Sequence, residues 1–337
     1  MITTSKQKTK IGLWSDAVNF PSLPLMKISA YHKQKNPNCT VKIIDDFNEW
    51  FDIAYVSKTF NLPHIKKIPQ LPQMPYADEL YFGGTGFAIL NTDGSEQYYK
   101  SNDPTLPKEI EHSYPNYELF PELTNNKAFG FLTRGCANSC PFCIVTCKEG
   151  NKSTHVADLS EFWRGQPFIK IMDANILACE NVENLLVSLI NSKAYIDFTQ
   201  GLDARLVDEE KSKLLGKLKT NMTHFAFDLI QNETEIIRGL TLFKKYSNTT
   251  SRQRSVYILT NYNTSHKEDW YRVKKVIELG YMPDVRIYMK GTHGQFLTDL
   301  ARWANNRQLY RACSFEDYIP RKDGKRCSEL YKDVLKK

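Results

Sequence analysis

The chain has 337 residues, 41% of them apolar, and a formal net charge of +7, so it is long enough for two domains or for one large barrel with an extension. It contains no apolar run of transmembrane length and no apolar signal region, so we expect a cytoplasmic protein without membrane contact. Three of the eight cysteines lie too close together for a secreted disulfide scaffold, which also favours a reducing compartment.

Residues 1–90 are predicted to form a Rossmann-like open sheet, because short apolar strands alternate with connectors of a length that suits parallel pairing. The predicted strands are Lys10–Trp14, Val41–Ile44, Asp52–Val56 and Leu80–Phe82, with a helix at Leu23–Lys35. The last strand runs into Gly83-Gly84-Thr85-Gly86. Such a turn either offers backbone N–H groups to a phosphate or is a plain tight turn.

Residues 91–127 are rich in Asn, Pro, Ser and Tyr, which predicts a linker. We expect its prolines to interrupt any helix. They are Pro104, Pro107, Pro115 and Pro121.

Residues 128–294 repeat a strand-then-helix pattern. Apolar strand-like runs recur every thirty to forty residues or so, and the intervals carry the apolar spacing of amphipathic helices. The runs start near Phe129, Phe168, Tyr195, His224, Ser255 and Asp284. Six such units predict a partial (β/α)6 barrel of the TIM type, so the fold class is α/β.

A cysteine-rich loop follows the first of these strands. Cys136, Cys140 and Cys143 are spaced C-x3-C-x2-C, and three thiolates on one loop can bind a soft metal or an iron–sulfur cluster. The same loop could instead form a structural zinc site, with Cys147 as the fourth ligand.

Polar residues stand at the ends of several predicted barrel strands, where a packed core would not place them. They are Asp173 and Asn175 in the second strand, Gln200, Asp203 and Arg205 in the third, and Asp228 in the fourth. Each could be a helix cap or part of an ion pair. Their repetition predicts a polar active-site mouth at the carboxyl ends of the strands.

The cysteine spacing, with the aromatic Phe142 directly before the last cysteine, resembles that of the radical S-adenosylmethionine (radical SAM) family. The resemblance implies that three cysteines hold three irons of a [4Fe–4S] cluster and that SAM chelates the fourth. It further implies that one electron, from a donor such as flavodoxin or ferredoxin, splits SAM into methionine and a 5′-deoxyadenosyl radical, which abstracts hydrogen from a substrate.

The resemblance extends to the predicted mouth, because Met172–Asn175 and Thr199–Arg205 look like the corresponding segments of members that carry a cobalamin-binding-type N-terminal domain. It implies that Asp173 and Asn175 bind the SAM amino group and that Phe142 lies by the adenine. Gln200 and Arg205 would face the ribose and the carboxylate. Asp203 and Asp228 complete the predicted cofactor-binding set.

The first domain departs from those relatives. Ser15–Pro21 lacks the His and Gly of the usual Asp-x-His-x-x-Gly pattern, although Ser57 and Gly83-Gly84 match its later parts. Cobalamin would therefore bind without a protein ligand, or the domain is a scaffold only. The only cysteine there is Cys39, so a second cluster of the type that the related tRNA methylthiotransferases carry in their first domain is not expected.

Residues 295–337 are predicted to form a helical extension rich in basic and aromatic residues. Such a tail can contact nucleic acid, or it can pack its aromatic rings on the barrel. The alternative function is therefore a non-catalytic zinc or iron–sulfur protein that binds nucleic acid through this tail. The sequence does not identify the substrate of the radical SAM reaction.

Overall fold

The computed structural model describes residues 9–16, 19–60, 69–92, 95–289, 291–322 and 324–336. The chain divides into two compact units. The first unit contains the residues up to Gly130, Ile144–Gly150 and Ala157–Ile169. The second unit contains Phe131–Cys143, Asn151–Val156 and the residues from Lys170 onward.

Strands and helices alternate along the chain. The strands are β1 (Lys10–Ser15), β2 (Thr40–Ile43), β3 (Trp50–Ser57), β4 (Tyr76–Gly83), β5 (Ile89–Thr92), β6 (Ser95–Tyr98), β7 (Lys127–Gly130), β8 (Thr133–Arg134), β9 (Thr154–His155), β10 (Phe168–Ile171), β11 (Tyr195–Phe198), β12 (Thr223–Ala226), β13 (Arg254–Thr260) and β14 (Met282–Ile287). The α-helices are α1 (Leu23–Lys35), α2 (Thr85–Ala88), α3 (Lys108–Glu111), α4 (Pro121–Thr124), α5 (Val145–Glu149), α6 (Val182–Asn191), α7 (Glu209–Lys217), α8 (Glu233–Tyr246), α9 (His266–Glu278), α10 (Gln295–Asn305), α11 (Arg307–Ala312), α12 (Cys327–Leu330) and α13 (Lys332–Leu335). Short 3-10 turns lie at Lys100–Asn102, Tyr117–Leu119, Leu159–Glu161, Ile176–Ala178, Ala204–Leu206, Ile230–Asn232 and Ser251–Gln253.

The first unit is built on a parallel sheet of order β2-β1-β3-β4. Helix α1 begins at Leu23 and ends at Lys35, as predicted, and it buries Leu25 and Ile28 against Ile11 and Leu13 of β1. Burial of one apolar stripe stabilises such a helix more than its intrinsic propensity does. The four strands predicted in this region are confirmed.

The proline-rich segment after β6 contains more regular structure than expected. Helix α4 has Pro121 as its first residue, and Pro107 directly precedes α3. Proline is tolerated at a helix start because its missing N–H would have no intrahelical partner there. Each of these helices starts at or directly after a proline and is only four residues long, so the prolines interrupt helices in this segment as expected. Ile110 of α3 packs into the same core as α1.

The strands predicted near Phe129, Phe168, Tyr195, His224, Ser255 and Asp284 are all present. They form two sheets, β11-β10-β7 and β12-β13-β14, and the pairs β12–β13 and β13–β14 are parallel. The α/β class with parallel sheets is thus confirmed. Burial alternates along β12 and its extension, where Phe225 and Phe227 are buried and His224 and Asp228 are only half-buried. Period-two alternation gives these strands one covered face and one more open face.

Aromatic rings of the C-terminal tail lie inside the second unit. Phe315 and Tyr318 are buried, and the Phe315 ring lies 5.3 Å from Trp270 and 5.4 Å from Trp303. These two rings pack within the fold, in agreement with the packing alternative for the tail. Along the described part of the chain, no helix is both long and apolar enough to cross a membrane.

Candidate cofactor site

The cysteine loop begins directly after β8. Gly135 has a φ of +90°, a conformation that glycine adopts without steric cost. Cys136 is buried, Cys140 is half-buried and Cys143 is exposed. The backbone N–H of Cys143 donates to the carbonyl of Cys140 at 3.0 Å, which closes a tight turn. All eight cysteines are thiols, with no disulfide.

Cys136 contacts the polar residues predicted around it. Its Sγ accepts the backbone N–H of Asn138 at 3.4 Å and Nδ2 of Asn175 at 3.5 Å. Asn175 lies just beyond the end of β10 and is itself buried. The first cysteine is therefore held to a different strand end by a side-chain hydrogen bond.

Asp203 is the centre of a hydrogen-bond network on the same side of the loop. Its Oδ2 accepts Nδ2 of Asn138 at 2.7 Å and Nδ2 of Asn175 at 3.3 Å. Arg205 makes a bidentate contact, with Nε at 2.8 Å from Oδ1 and Nη2 at 2.7 Å from Oδ2. Burial favours a raised pKa for Asp203, but hydrogen bonds from Arg205 and Asn138 outweigh it and lower the pKa. Asp203 is therefore a carboxylate at neutral pH.

Helix α8 fixes the segment that carries Asp203 and Arg205. Arg238 Nη2 donates to the carbonyl of Arg205 at 2.7 Å. A Cβ at Gly239 would lie only 1.7 Å from the carbonyl oxygen of Ala204, so the helix approaches this backbone as closely as glycine alone permits.

Asp173 holds the residues that lead into the cysteine loop. Its Oδ1 accepts the N–H of Leu132 at 2.9 Å, and its Oδ2 accepts both the N–H and the hydroxyl of Thr133 at 2.6 Å. Burial raises the pKa of this carboxyl to about 6, although these hydrogen bonds act in the opposite direction. Asp173 thus supports the start of the loop. The prediction that it also binds the SAM amino group stays a prediction.

The side chain of Asn175 carries a buried acceptor. Its Oδ1 is buried and has no hydrogen-bond partner within the described ranges. The amide orientation follows from its neighbours, because Nδ2 faces two acceptors, the sulfur of Cys136 and the carboxylate of Asp203. A buried oxygen without a donor is unfavourable unless a ligand supplies one.

The thiol of Cys140 links the three cysteines to this network electrostatically. Burial is the main reason that its pKa is raised to about 11, and the neighbouring Cys143 adds to the increase. Arg205 lowers the pKa, whereas Asp228 and Cys136 raise it. Cys140 therefore lies within electrostatic range of both other loop cysteines and of two strand-end residues.

Asp228 is held at the end of β12 by two neighbouring elements. Its Oδ1 accepts the N–H of Leu259 at 3.0 Å, and burial raises its pKa. Arg272 of α9 donates Nη1 to the carbonyls of Phe227 at 3.0 Å and Asp228 at 2.7 Å. Arg272 also pairs with Asp269 at 2.6 Å, and both side chains are 0% exposed.

The two other predicted residues lie outside the network around Asp203. The Phe142 ring meets Tyr262 edge-on at 5.2 Å, and Tyr262 in turn meets Tyr288 at 5.0 Å. Gln200 is exposed on the segment that follows β11.

Sequence reasoning missed Asn138, Thr133 and Tyr262. Asn138 lies between two of the cysteines, but its partner Asp203 is 65 positions away. A polar residue inside the loop was the only signal for this role, and it does not identify the partner.

An iron–sulfur cluster with SAM would need three soft ligands on the chain and an acceptor for the SAM amino group. No group of three or more His, Cys, Asp or Glu side chains in the described ranges is already arranged to hold a metal ion. The donor types nevertheless fit, because three soft thiols share one loop and a buried amide oxygen beside Cys136 lacks a donor.

The sequence matches no protein-family model and no curated protein.

Proposed function

We propose that this chain is a radical SAM enzyme in which Cys136, Cys140 and Cys143 hold a [4Fe–4S] cluster. The observation that carries the proposal concerns Asn175. Its buried Oδ1 has no donor among the described residues, and its Nδ2 donates a hydrogen bond to the sulfur of Cys136. This supports the proposal, because the ammonium group of SAM would need an acceptor beside the cluster. When bound, the cluster supplies one electron that splits SAM into methionine and a 5′-deoxyadenosyl radical, which abstracts hydrogen from the substrate.

The residues of the chain bind and orient SAM. Asn175 accepts a hydrogen bond from the amino group. Nε and Nη2 of Arg205 donate to Asp203, and we assign the third nitrogen, Nη1, to the SAM carboxylate. Asp203 keeps the guanidinium in place, because a bidentate pair fixes the orientation of both groups. We assign Phe142, which lies edge-on to Tyr262, to the adenine ring.

The number of cysteines favours this proposal over a zinc site. The zinc alternative requires Cys147 as the fourth ligand, whereas a cluster that leaves one iron for SAM requires three. Cys147 lies on α5 and acts electrostatically on Tyr98. Phe315 and Tyr318 of the tail are buried, so these two rings are not available to stack on bases.

We also propose the finer fold that the resemblance implies. An open (β/α)6 barrel made of β7 and β10–β14 is supported by the chain order of the strands within both sheets. Isolated parallel bridges at Tyr195↔Lys219 and Leu202↔Phe225 connect the segments of β11 and β12. The order β2-β1-β3-β4 of the first unit is that of a doubly wound, flavodoxin-like sheet.

The residues of the first unit do not fit cobalamin held by a histidine. Position 18, where the pattern has its histidine, is a valine. The preceding Asp16 is buried, and its carboxylate accepts the N–H groups of Thr59 at 2.8 Å and Phe60 at 2.9 Å. We therefore propose no step through cobalamin. An electron donor such as flavodoxin or ferredoxin completes the proposed system, and the substrate is left open.

The test is anaerobic reconstitution with iron and sulfide, followed by reduction in the presence of SAM. We expect a brown protein that forms 5′-deoxyadenosine. A triple variant with alanine at positions 136, 140 and 143 should lose both the colour and the product. Cys147→Ala is the matched control and should keep both.

A colourless protein that binds zinc stoichiometrically and loses it in Cys147→Ala would overturn the proposal. Salt-dependent binding to RNA or DNA without SAM cleavage would favour the non-catalytic alternative.

A further inference from the structure

The glycine turn after β4 already holds an anion from its own chain. Gly84 has a φ of +102°, and a Cβ there would lie 2.4 Å from the carbonyl oxygen of Lys58, so only glycine fits. Its backbone N–H donates to Oδ1 of Asp103 at 3.1 Å. The N–H group of Gly84, which the sequence left as either a phosphate donor or part of a plain turn, therefore faces a carboxylate.

Three chemically different donors surround this carboxylate. Besides the N–H of Gly84, the hydroxyl of Tyr98 donates to Oδ2 at 3.0 Å and the Lys148 ammonium lies 3.0 Å from the same oxygen. The Asp103 side chain is only 10% exposed. Burial and the charge of Asp103 together raise the pKa of Tyr98, so its hydroxyl stays a donor. Charge-assisted contacts of this kind are stronger than neutral ones.

Lys148 contacts this anion from the helix that follows the cysteine loop in the chain. It lies on α5, which begins two residues after Cys143, and its ammonium also donates to Oγ1 of Thr85 at 2.6 Å. None of the five residues of α5 is buried. A single helical turn without apolar burial is marginal by itself, so its polar contacts decide where it lies.

We propose that the glycine turn is a carboxylate-binding site that the chain fills with its own Asp103. Asp103 and Lys148 are then positioning residues that hold α5, the helix that follows the cysteine loop in the chain. The carboxylate site stands independently, whereas the effect on iron retention expected below rests on the proposed function.

The first test is chemical rescue. Asp103→Ala should lower Tm by about 3 °C or more, and added formate should raise the Tm of this variant more than that of the wild type. Sodium chloride at equal ionic strength is the salt control. Lys148→Met should lower Tm, and the double variant should respond less to formate than Asp103→Ala does. If Asp103→Ala does not fold, Asp103→Asn, which keeps the shape without the charge, should still show the lower Tm.

Equal effects of formate and chloride on Asp103→Ala would overturn the carboxylate site. An unchanged Tm in Asp103→Asn and Lys148→Met would overturn it as well.

The second test follows α5 itself by hydrogen exchange of the amides of Val145–Glu149. The amides of α5 should exchange faster in Asp103→Ala and in Lys148→Met than in the wild type. Both of these variants should also lose iron to a chelator faster. Ile110→Val, a core change in the same unit, is the control that lowers Tm without changing either readout.

The outcomes separate the two proposals. If the wild type never binds iron but the two variants still exchange faster in α5, the inference about α5 holds and the proposed function is excluded. A wild type that binds iron, with unchanged α5 exchange in both variants, removes the positioning role alone.

Discussion

Nδ2 of Asn138 donates a hydrogen bond to Oδ2 of Asp203 at 2.7 Å. Asn138 lies between two cysteines of the loop, and Asp203 lies beyond the end of β11. The contact thus joins the loop to a separate strand end.

Replacing Asn138 should therefore loosen the loop. Asn138→Ala removes one hydrogen bond to a charged group and should lower the free energy of unfolding by about 1.5–3 kcal/mol. At pH 7, Asn138→Asp should lower the free energy of unfolding more than Asn138→Ala does, because it sets a second carboxylate against the ionised Asp203. Near pH 4 one of the two carboxyls is protonated, so the loss in Asn138→Asp should be smaller than at pH 7. Urea denaturation at both pH values measures this. Ser139→Ala, an exposed neighbour, is the control, and equal losses in all three variants would contradict the prediction.

Asn175 and Asp173 are expected to have different roles. Asn175→Ala should weaken SAM binding about tenfold to a hundredfold, since a hydrogen bond to a charged group contributes about 1.5–3 kcal/mol. The colour of the cluster should persist. Asp173→Ala should instead lower Tm, because the donors of Leu132 and Thr133 lose their acceptor. SAM titrations with a melting curve for each variant measure both effects. Weakened SAM binding in Asp173→Ala alone would assign the amino group to Asp173 and not to Asn175, although the resemblance implies both.

The stability of the protein should depend on pH through Asp173. Burial raises the pKa of this carboxyl in the folded state to about 6, against about 3.9 in an unfolded chain. The folded state then holds the proton more tightly, so the free energy of unfolding falls as pH rises from about 4 to about 6. Two pKa units correspond to roughly 3 kcal/mol. Asp173→Asn cannot ionise and should lack this slope in urea denaturation, whereas parallel curves for the two proteins would contradict the assignment.

Arg272 should matter for stability as well as for the position of Asp228. Arg272→Met leaves the buried Asp269 without its cation and the carbonyls of Phe227 and Asp228 without a donor, which should cost about 3–5 kcal/mol. Adding Asp269→Leu removes the isolated charge and should recover part of the loss. Lys275→Met, which breaks an exposed pair on the same helix, should change stability by less than about 1 kcal/mol. Denaturation of the three proteins decides, and a double variant no more stable than Arg272→Met would contradict this explanation.

The sequence predicted the regular elements better than the side-chain contacts, for a physical reason. Strands β10 to β14 and helix α1 repeat apolar residues at a period that local sequence displays directly. The short helices after β6 were missed, because α4 starts with a proline that the sequence presents only as a breaker. A single turn has too few residues to show a period.

The sequence predicted where the residues of the candidate site lie on their strands, but it did not predict their hydrogen-bond partners. The sequence placed Asn175 and Asp203 at strand ends, and the structure brings both to the Cys136 loop. It did not distinguish these residues from Asp173, whose carboxylate is taken up by Leu132 and Thr133. Such choices depend on contacts between segments far apart in the chain, which leave no local pattern.

The close approach of α8 to Ala204 makes Gly239 a hidden determinant of the site. A Cβ at position 239 would lie 1.7 Å from the carbonyl oxygen of Ala204, so any side chain there must displace this carbonyl. Ala204 lies between Asp203 and Arg205, so the displacement would move the segment that carries both residues. In a saturation library selected for SAM cleavage, this glycine should tolerate substitution as poorly as the cysteines do, although it offers no chemical group of its own. A search for essential residues restricted to reactive side chains would overlook it.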